Sequence, residues 1–222
     1  MSEAGPTTTS SLPVVETFHS LQGEGLHSGR SAFFIRLGGC SVGCSWCDTK
    51  HSWPVEVHPQ RPLAELQQEV EQAAAAGAAF VVITGGEPLQ HNLDALCAAL
   101  APVGLPLHLE TSGVGVFSGR FHWITLSPKA HQPPSAELLA ACHELKPVVH
   151  SASDLEFAEA MAAAATAARA GHTSSHSGSA TPALLLQPGW DCSEGQQLAV
   201  NYVRTHPNWR LSLQNHKWLG VR

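Results

Sequence analysis

Cys40, Cys44 and Cys47 follow one another in the spacing C-x3-C-x2-C inside the stretch GGCSVGCSWCDT, Gly38 to Thr49. Thiolates are soft ligands that favour zinc, copper(I) and iron–sulfur clusters. A structural zinc site is four-coordinate and usually pairs two short cysteine knuckles. This chain has no second knuckle, although His51 could complete a zinc site from close by. A [4Fe–4S] cluster normally takes four cysteines, so three would leave one iron open to a ligand that is not protein. Gly38, Gly39 and Gly43 let the backbone wrap closely around a bulky group. The other three cysteines, Cys97, Cys142 and Cys192, are dispersed and read as ordinary buried or indifferent thiols.

The rest of the composition narrows the partners. The chain has 222 residues, a formal net charge of −6, 43% hydrophobic residues and 14% charged residues. That length makes one domain, at most two, with ample apolar material for a core. The acidic balance argues against direct binding of nucleic acid. No apolar run approaches a membrane span. The opening MSEAGPTTTSSLP lacks the basic and apolar regions of a secretion signal, so a cytoplasmic protein with metal-binding rather than disulfide-bonded cysteines is expected.

Something must hold the cysteine stretch, and the hydrophobic pattern says what. Residues 1–12 are small, polar and aperiodic and read as a disordered tail, leaving 13–222 as one domain. Strands are expected at SAFFIRL (Ser31–Leu37), AFVVIT (Ala79–Thr84), LPLHLET (Leu105–Thr111), FHWITLSP (Phe121–Pro128), ALLLQ and WRLSLQ, with a weaker one at KPVVHS. Helices are expected at Pro62–Ala78, Asn92–Pro102, Ser135–Leu145, Ser153–Ala170 and SEGQQLAVNYVRTH, the fourth with Ser153 as N-cap and Glu156 closing a capping box. Gly171–Pro182 reads as a variable loop.

Alternating strands and helices imply a parallel α/β sheet with right-handed crossovers. At about 30 residues per unit there is room for roughly six units, short of the eight in a closed barrel. The expected fold is therefore a partial (β/α)6 barrel, open on one side, with the cysteine loop after its first barrel strand. In such sheets chemistry gathers at the C-terminal strand ends. Polar clusters stand at six of them: the cysteine loop after Leu37, TGGEP after Ile83, ETSG after Leu109, SPK after Leu126, QP after Leu186 and QNHK after Leu213.

The cysteine spacing, with Trp46 before the last cysteine, resembles the signature of the radical S-adenosylmethionine (SAM) superfamily, whose common core is a partial (β/α)6 barrel. Glu16–Trp53, ITGGEPLQ, ETSG, LSPK and NWRLSLQNHKWLGVR resemble, in the same order, the motifs of the 7-carboxy-7-deazaguanine synthase family. The likeness covers nearly the whole chain and is weakest over Val149–Pro182 and the first dozen residues.

That resemblance implies a reaction and a set of roles. Cys40, Cys44 and Cys47 would hold a [4Fe–4S] cluster, whose open iron binds the amino and carboxylate groups of SAM. Reductive cleavage of SAM would give a radical that removes a hydrogen from 6-carboxy-5,6,7,8-tetrahydropterin, which contracts to 7-carboxy-7-deazaguanine with loss of ammonia. Trp46, Cys47 and Asp48 would line the SAM site. Gly85 and Gly86 would allow close approach of the SAM methionine group, with Glu87 accepting from its ammonium. Ser127, Pro128 and Lys129 would contact SAM, Lys129 as a partner for a carboxylate, and Glu110 and Gln187 would add further SAM contacts.

Thr49 would bind Mg2+, an ion that wants octahedral oxygen and whose shell the substrate must complete. Leu21, Gln22, Gly23 and Glu24 would meet the substrate, Gln22 and Glu24 reading the pterin edge. Arg36 would pair with the substrate carboxylate, Thr84 would face the substrate, and His216 with the terminal carboxylate of Arg222 would close the pocket. The resemblance also implies a flavodoxin- or ferredoxin-like electron donor and a homodimer.

Each of these residues has a plainer reading: TGGEP as a strand-to-helix turn, Thr49 as a turn residue, His216 as a structural histidine. Two other functions share the cysteine motif, a glycyl-radical activase and a non-catalytic zinc or iron–sulfur module. The QGEG, W-C-D-T and QNHK stretches argue against the activase.

Overall fold

The computed structural model describes residues 10–170 and 181–222. Strand β1 (Ser11–Leu21) runs antiparallel to β2 (Ser31–Leu37), and β3 (Gln60–Pro62) pairs with the start of β1. Helix α1 (Leu63–Ala75) leads to β4 (Val81–Gly85), α2 (Asp94–Leu100) to β5 (Leu107–Thr111), and a loop to β6 (Trp123–Leu126). Helix α3 (Ala136–Ala141) precedes a short pair, β7 (Glu144–Leu145) and β8 (Val148–Val149). Helix α4 (Ala152–Ala170), β9 (Ala183–Pro188), α5 (Ser193–Thr205), β10 (Trp209–Leu211) and α6 (Asn215–Leu219) complete the described chain.

The sheet order is β10-β9-β7-β6-β5-β4-β2-β1-β3, parallel from β2 through β10. The barrel is open, as expected, because among the described residues β10 pairs only with β9 and β2 is flanked by β1 rather than by β10. Seven parallel positions are filled, one more than the roughly six units that length suggested.

Side-chain alternation assigns the two faces of this sheet. Phe33, Ile35, Leu37, Val81, Ile83, Leu107, Leu109, Ile124, Leu126, Leu145 and Leu186 point outward into one core with the helices. Helix α1 meets it with Leu63, Leu66, Val70 and Ala73, the stripe of a 3.6-residue period. The intervening residues fall on the concave face in two layers. Nearer the N-terminal strand ends lie Phe34, Val82, His108 and Trp123, in register with one another; one step on lie Arg36, Thr84, Glu110, Thr125 and Glu144, with Lys146 following Glu144.

Several boundaries differ from expectation for identifiable reasons. Residues 10–12 are not tail: Ser11 and Leu12 are already in β1, and Leu12 is 2% exposed. Residues 1–9, and most of the Gly171–Pro182 loop, lie outside the described residues. Strand β1 itself escaped the pattern because a register shift between Val14 and Glu16 breaks its alternation. The KPVVHS strand is split by Pro147, which has no N–H for the ladder, and Glu144–Leu145, expected to end a helix, form β7 instead. The cap of α4 is also different. Asp154, not Ser153 with Glu156, accepts from the His150 and Ser151 amides at 2.9 and 2.8 Å.

The lower layer is rich in histidine. His108 stacks on Phe80 at 4.2 Å and lies 4.7 Å from His27, while Trp123 stacks on His143 at 5.1 Å. Burial, then the neighbouring His27, Arg30, His122 and His143, holds the His108 pKa down at about 3 against an ordinary 6.5. The folded-state value lies below the unfolded one, so this stability is complete above about pH 6.5 and is lost as pH falls towards about 3. His108→Phe keeps an aromatic ring on Phe80 and removes the titration. Urea unfolding across that window is expected to show a flatter acid limb for the variant; equal slopes would contradict the assignment.

Candidate active site

The cysteine loop leaves the C-terminal end of β2 and is held on both sides. The Gly39 and Cys40 amides donate to the Ser52 and Trp53 carbonyls at 2.8 and 3.1 Å. The Gly86 and Glu87 amides donate back to the Leu37 and Gly39 carbonyls at 2.9 and 2.8 Å. The two chains touch so closely that a Cβ on Gly86 would stand 2.2 Å from the Gly39 carbonyl oxygen and 2.9 Å from the Cys40 Cβ. The glycine pair of TGGEP is therefore required by contact with the cysteine loop, before any ligand is considered.

Glu87 also has a different job from the one its motif suggested. It is 1% exposed, and its carboxylate accepts from the Leu89 amide, the Thr111 hydroxyl, and both the amide and hydroxyl of Ser112. Burial raises its pKa, against the lowering effect of these bonds. Four protein donors already engage the carboxylate. It ties the end of β5 to the turn that supports the cysteines.

Cys44 is 7% exposed, and Cys40 and Cys47 are half-buried; all three are free thiols. Burial pushes the Cys40 and Cys44 thiols up, and each is raised further by the charge of its neighbours in the trio. Among the described residues no three His, Cys, Asp or Glu side chains converge as they would on one metal ion. Three soft thiols around one loop, close enough to feel one another but not meeting at a point, fit a multi-iron cluster better than a zinc ion.

Beside the loop, Lys129 donates to the carbonyl and hydroxyl of Ser127 at 2.6 and 2.7 Å, and its ammonium lies 5.2 Å from the ring centre of the half-exposed Trp46. Burial pulls the Lys129 pKa down to about 8, opposed by the charge of Cys44. His150, at the end of β8, packs on the other side of Trp46 at 4.9 Å. Pro128 is buried between the two polar members of SPK.

A cavity of about 190 Å3 opens between the cysteine loop and α6, lined by Leu21, Gln22, Gly23, Glu24, Arg36, Asp48, Thr49, Thr84, Gly85, Glu110, His216 and Arg222, together with Phe18, Phe34 and Gln214. All eight residues expected at the substrate are thus brought together. Glu110, expected to contact SAM, also lines this cavity, where it accepts from Gln22 Nε2 at 2.8 Å and Thr84 Oγ1 at 3.3 Å. Arg36 spends its Nε on Glu16 at 2.9 Å, which leaves its terminal nitrogens free of ion pairs. Thr49 Oγ1 lies 3.5 Å from Cys47 Sγ, and Asp48 pairs with Lys217.

Arg222 lines the cavity, where its main-chain oxygen accepts from Ser20 Oγ at 2.6 Å and its guanidinium pairs with Glu16 at 2.8 Å. The His216 ring lies against the Gly23 backbone, where a Cβ would meet its Nδ1 at 2.2 Å. Gln187 is 5% exposed, and its oxygen is taken by Lys146 and Ser212 at 3.0 and 3.1 Å. Lys146, which no motif pointed to, sits behind Glu24 and pairs with it. The strand-end rule could have found it, since it directly follows Leu145 of β7.

An open parallel barrel with three cysteines in a loop after its first parallel strand defines the class, a radical SAM enzyme, and residues 34–124 match the Radical SAM superfamily profile. The chain is 54% identical over 220 residues to 7-carboxy-7-deazaguanine synthase of Prochlorococcus marinus, covering 95% of this chain and 98% of that one. It is 34% identical over 231 residues to the Escherichia coli K12 protein of the same name, covering 94% and 98%. The crystal structure of QueE from Escherichia coli superimposes with a TM-score of 0.76 at 30% identity, covering 93% and 95%. Streptococcus suis SuiB, at 13% identity and a TM-score of 0.52 over 78% of this chain and 44% of its own, shares the fold alone.

This chain belongs to the 7-carboxy-7-deazaguanine synthase family. It is an enzyme of 7-deazaguanine biosynthesis that works with a [4Fe–4S] cluster and SAM. Membership sets aside the activase and the non-catalytic module. No helix among the described residues is long and apolar enough to cross a membrane.

Proposed function

We propose that the cavity converts 6-carboxy-5,6,7,8-tetrahydropterin to 7-carboxy-7-deazaguanine with loss of ammonia. The observation that carries this reading is the polarity of the cavity. One end offers Gln22, Glu24 and Glu110, which suit the donor–acceptor edge of a pterin, and the other offers the Arg36 guanidinium, which suits a carboxylate. The cluster on Cys40, Cys44 and Cys47 and the SAM beside it supply, when bound, the radical that takes a hydrogen from the substrate. Trp46, Ser127, Lys129 and the free amide nitrogen of Gln187 border the SAM side, with Lys129 the cation for the SAM carboxylate. Thr84 and His216 confine the ring, and the cavity walls exclude water around it.

Thr49 is the proposed Mg2+ ligand, since its hydroxyl is the hard oxygen between the cysteine loop and the cavity. Thr49→Ala is expected to keep full iron content, to lose Mg2+ dependence, and to turn over up to about 100-fold more slowly, the cost of a misplaced substrate. Loss of iron in that variant would mean a misfolded loop instead. The same reading supplies a flavodoxin- or ferredoxin-like donor, a homodimer and a cytoplasmic location. The test is anaerobic reconstitution followed by SAM, reductant, Mg2+ and the pterin. Formation of 5′-deoxyadenosine and 7-carboxy-7-deazaguanine is expected; uncoupled 5′-deoxyadenosine without a pterin-derived product would overturn the substrate.

A further inference from the structure

Lys146 forms no part of the cavity wall, yet two residues that serve the site depend on it. It follows β7 on the concave face, is 4% exposed, and its ammonium contacts Glu24 Oε2 and, at 3.0 Å, Gln187 Oε1. An ammonium has three donors and no acceptor. The Gln187 amide must therefore turn its oxygen inward, where the Ser212 hydroxyl also donates at 3.1 Å. Glu24 is drawn against the same ammonium, and its other oxygen accepts from Gln214 at 3.0 Å. What the two residues have left to offer is opposite in kind: spare lone pairs on Glu24, spare N–H groups on Gln187.

We propose that Lys146 is a positioning residue that sets the hydrogen-bonding polarity at the closed end of the cavity, so that this end accepts a ligand edge with adjacent N–H donors, the amidine side of a 2-amino-4-oxopyrimidine ring. The substrate part of this inference rests on the pterin reading above. Burial works against the charge on Glu24, but the charge and hydrogen bond of Lys146, with help from Gln214 and His216, outweigh it and hold the carboxyl at about 2. Lys146 is in turn faced by Glu24 from the loop after β1, Glu110 from β5 and Glu144 from β7, with Lys129 as the nearby like charge. Without Lys146 the effect of burial on Glu24 is opposed only by Gln214 and His216, the smaller of the lowering influences. Its carboxyl pKa then rises, and on protonation an acceptor becomes a donor pointed at donors.

Lys146→Met keeps most of the side-chain length and removes the donors. It is expected to raise KM for the pterin by about 10- to 100-fold, with a loss that deepens as pH falls, while iron content stays unchanged. A pH profile superimposable on wild type, or a KM within about threefold of it, overturns the proposal. A second readout uses no substrate. With the Glu24 pKa raised above its unfolded 4.5, stability of Lys146→Met to urea should fall as pH rises through the new value.

The double variant Glu24→Gln/Lys146→Met should lose that dependence. If it keeps it, or if Lys146→Met shows none, the proposal fails. Should the single variant not fold, the double variant, relieved of the unpaired Glu24 charge, must fold; its failure to do so counts against the proposal as well. If wild type does not turn over the pterin, the substrate reading falls while the unfolding measurement still judges Lys146.

Discussion

Cys44→Ser is expected to fold, to bind little iron, and to make no 5′-deoxyadenosine with or without substrate. Cys44 is the most buried of the three thiols, at 7% exposure, and a serine hydroxyl is a hard ligand in place of a soft one. Because the cofactor carries the chemistry, turnover should fall by most of the acceleration an enzyme supplies, at least about 10⁶-fold. Folding should survive, since Cys44 makes only a 4.0 Å contact to His131 through its sulfur. Iron and sulfide analysis, the visible spectrum and 5′-deoxyadenosine formation are the measurements. Full cluster content with normal SAM cleavage would refute the ligand assignment.

Gly86→Ala is expected to damage the same centre from outside it. The added Cβ would fall 2.2 Å from the Gly39 oxygen, 2.6 Å from the Gly39 carbonyl carbon and 2.9 Å from the Cys40 Cβ. None of these is the end of a flexible side chain, so backbone must move. Overpacking of this kind costs about 1–3 kcal/mol. A shift of the cysteine loop by about 1 Å is worth about 100-fold in turnover. The variant should therefore show a lower unfolding midpoint and a depleted or altered cluster spectrum. Wild-type iron content and activity would mean that the two loops are freer to separate than their hydrogen bonds imply.

Much of this centre was legible because it lies on strand ends, where the pattern changes abruptly from apolar to polar. The cysteine loop, TGGEP, ETSG and SPK each follow a buried run, and the structure brings all four together. Lys146 was hidden because its strand is two residues long and broken by Pro147, too short for any periodicity to register. The true partners of Glu87 are the hydroxyls of Thr111 and Ser112, which come from the next strand of the sheet, so only its tertiary neighbours reveal that its carboxylate is already used. The partners of Glu110 were hidden for a related reason. Its place at a strand end is visible in sequence, but which of the two ligands it faces depends on the curvature of the sheet. Strand β1 was missed where a bulge disturbs alternation, although the residues just after it, Gln22 to Glu24, were picked out by their types.

The contacts that bridge the open side of the barrel join segments made far apart in time. The Asn215 amide donates to the Gly23 carbonyl at 2.9 Å, and Gln214 reaches Glu24 across 190 residues of chain. During synthesis the cysteine loop and its supports from β2 and β4 leave the ribosome well before α6 exists, and domains form from the N-terminal side first. Joining segments so distant in sequence also carries a large loop-closure entropy. The cluster ligands and their supports are thus on the chain well before the last wall of the substrate cavity, which α6 supplies.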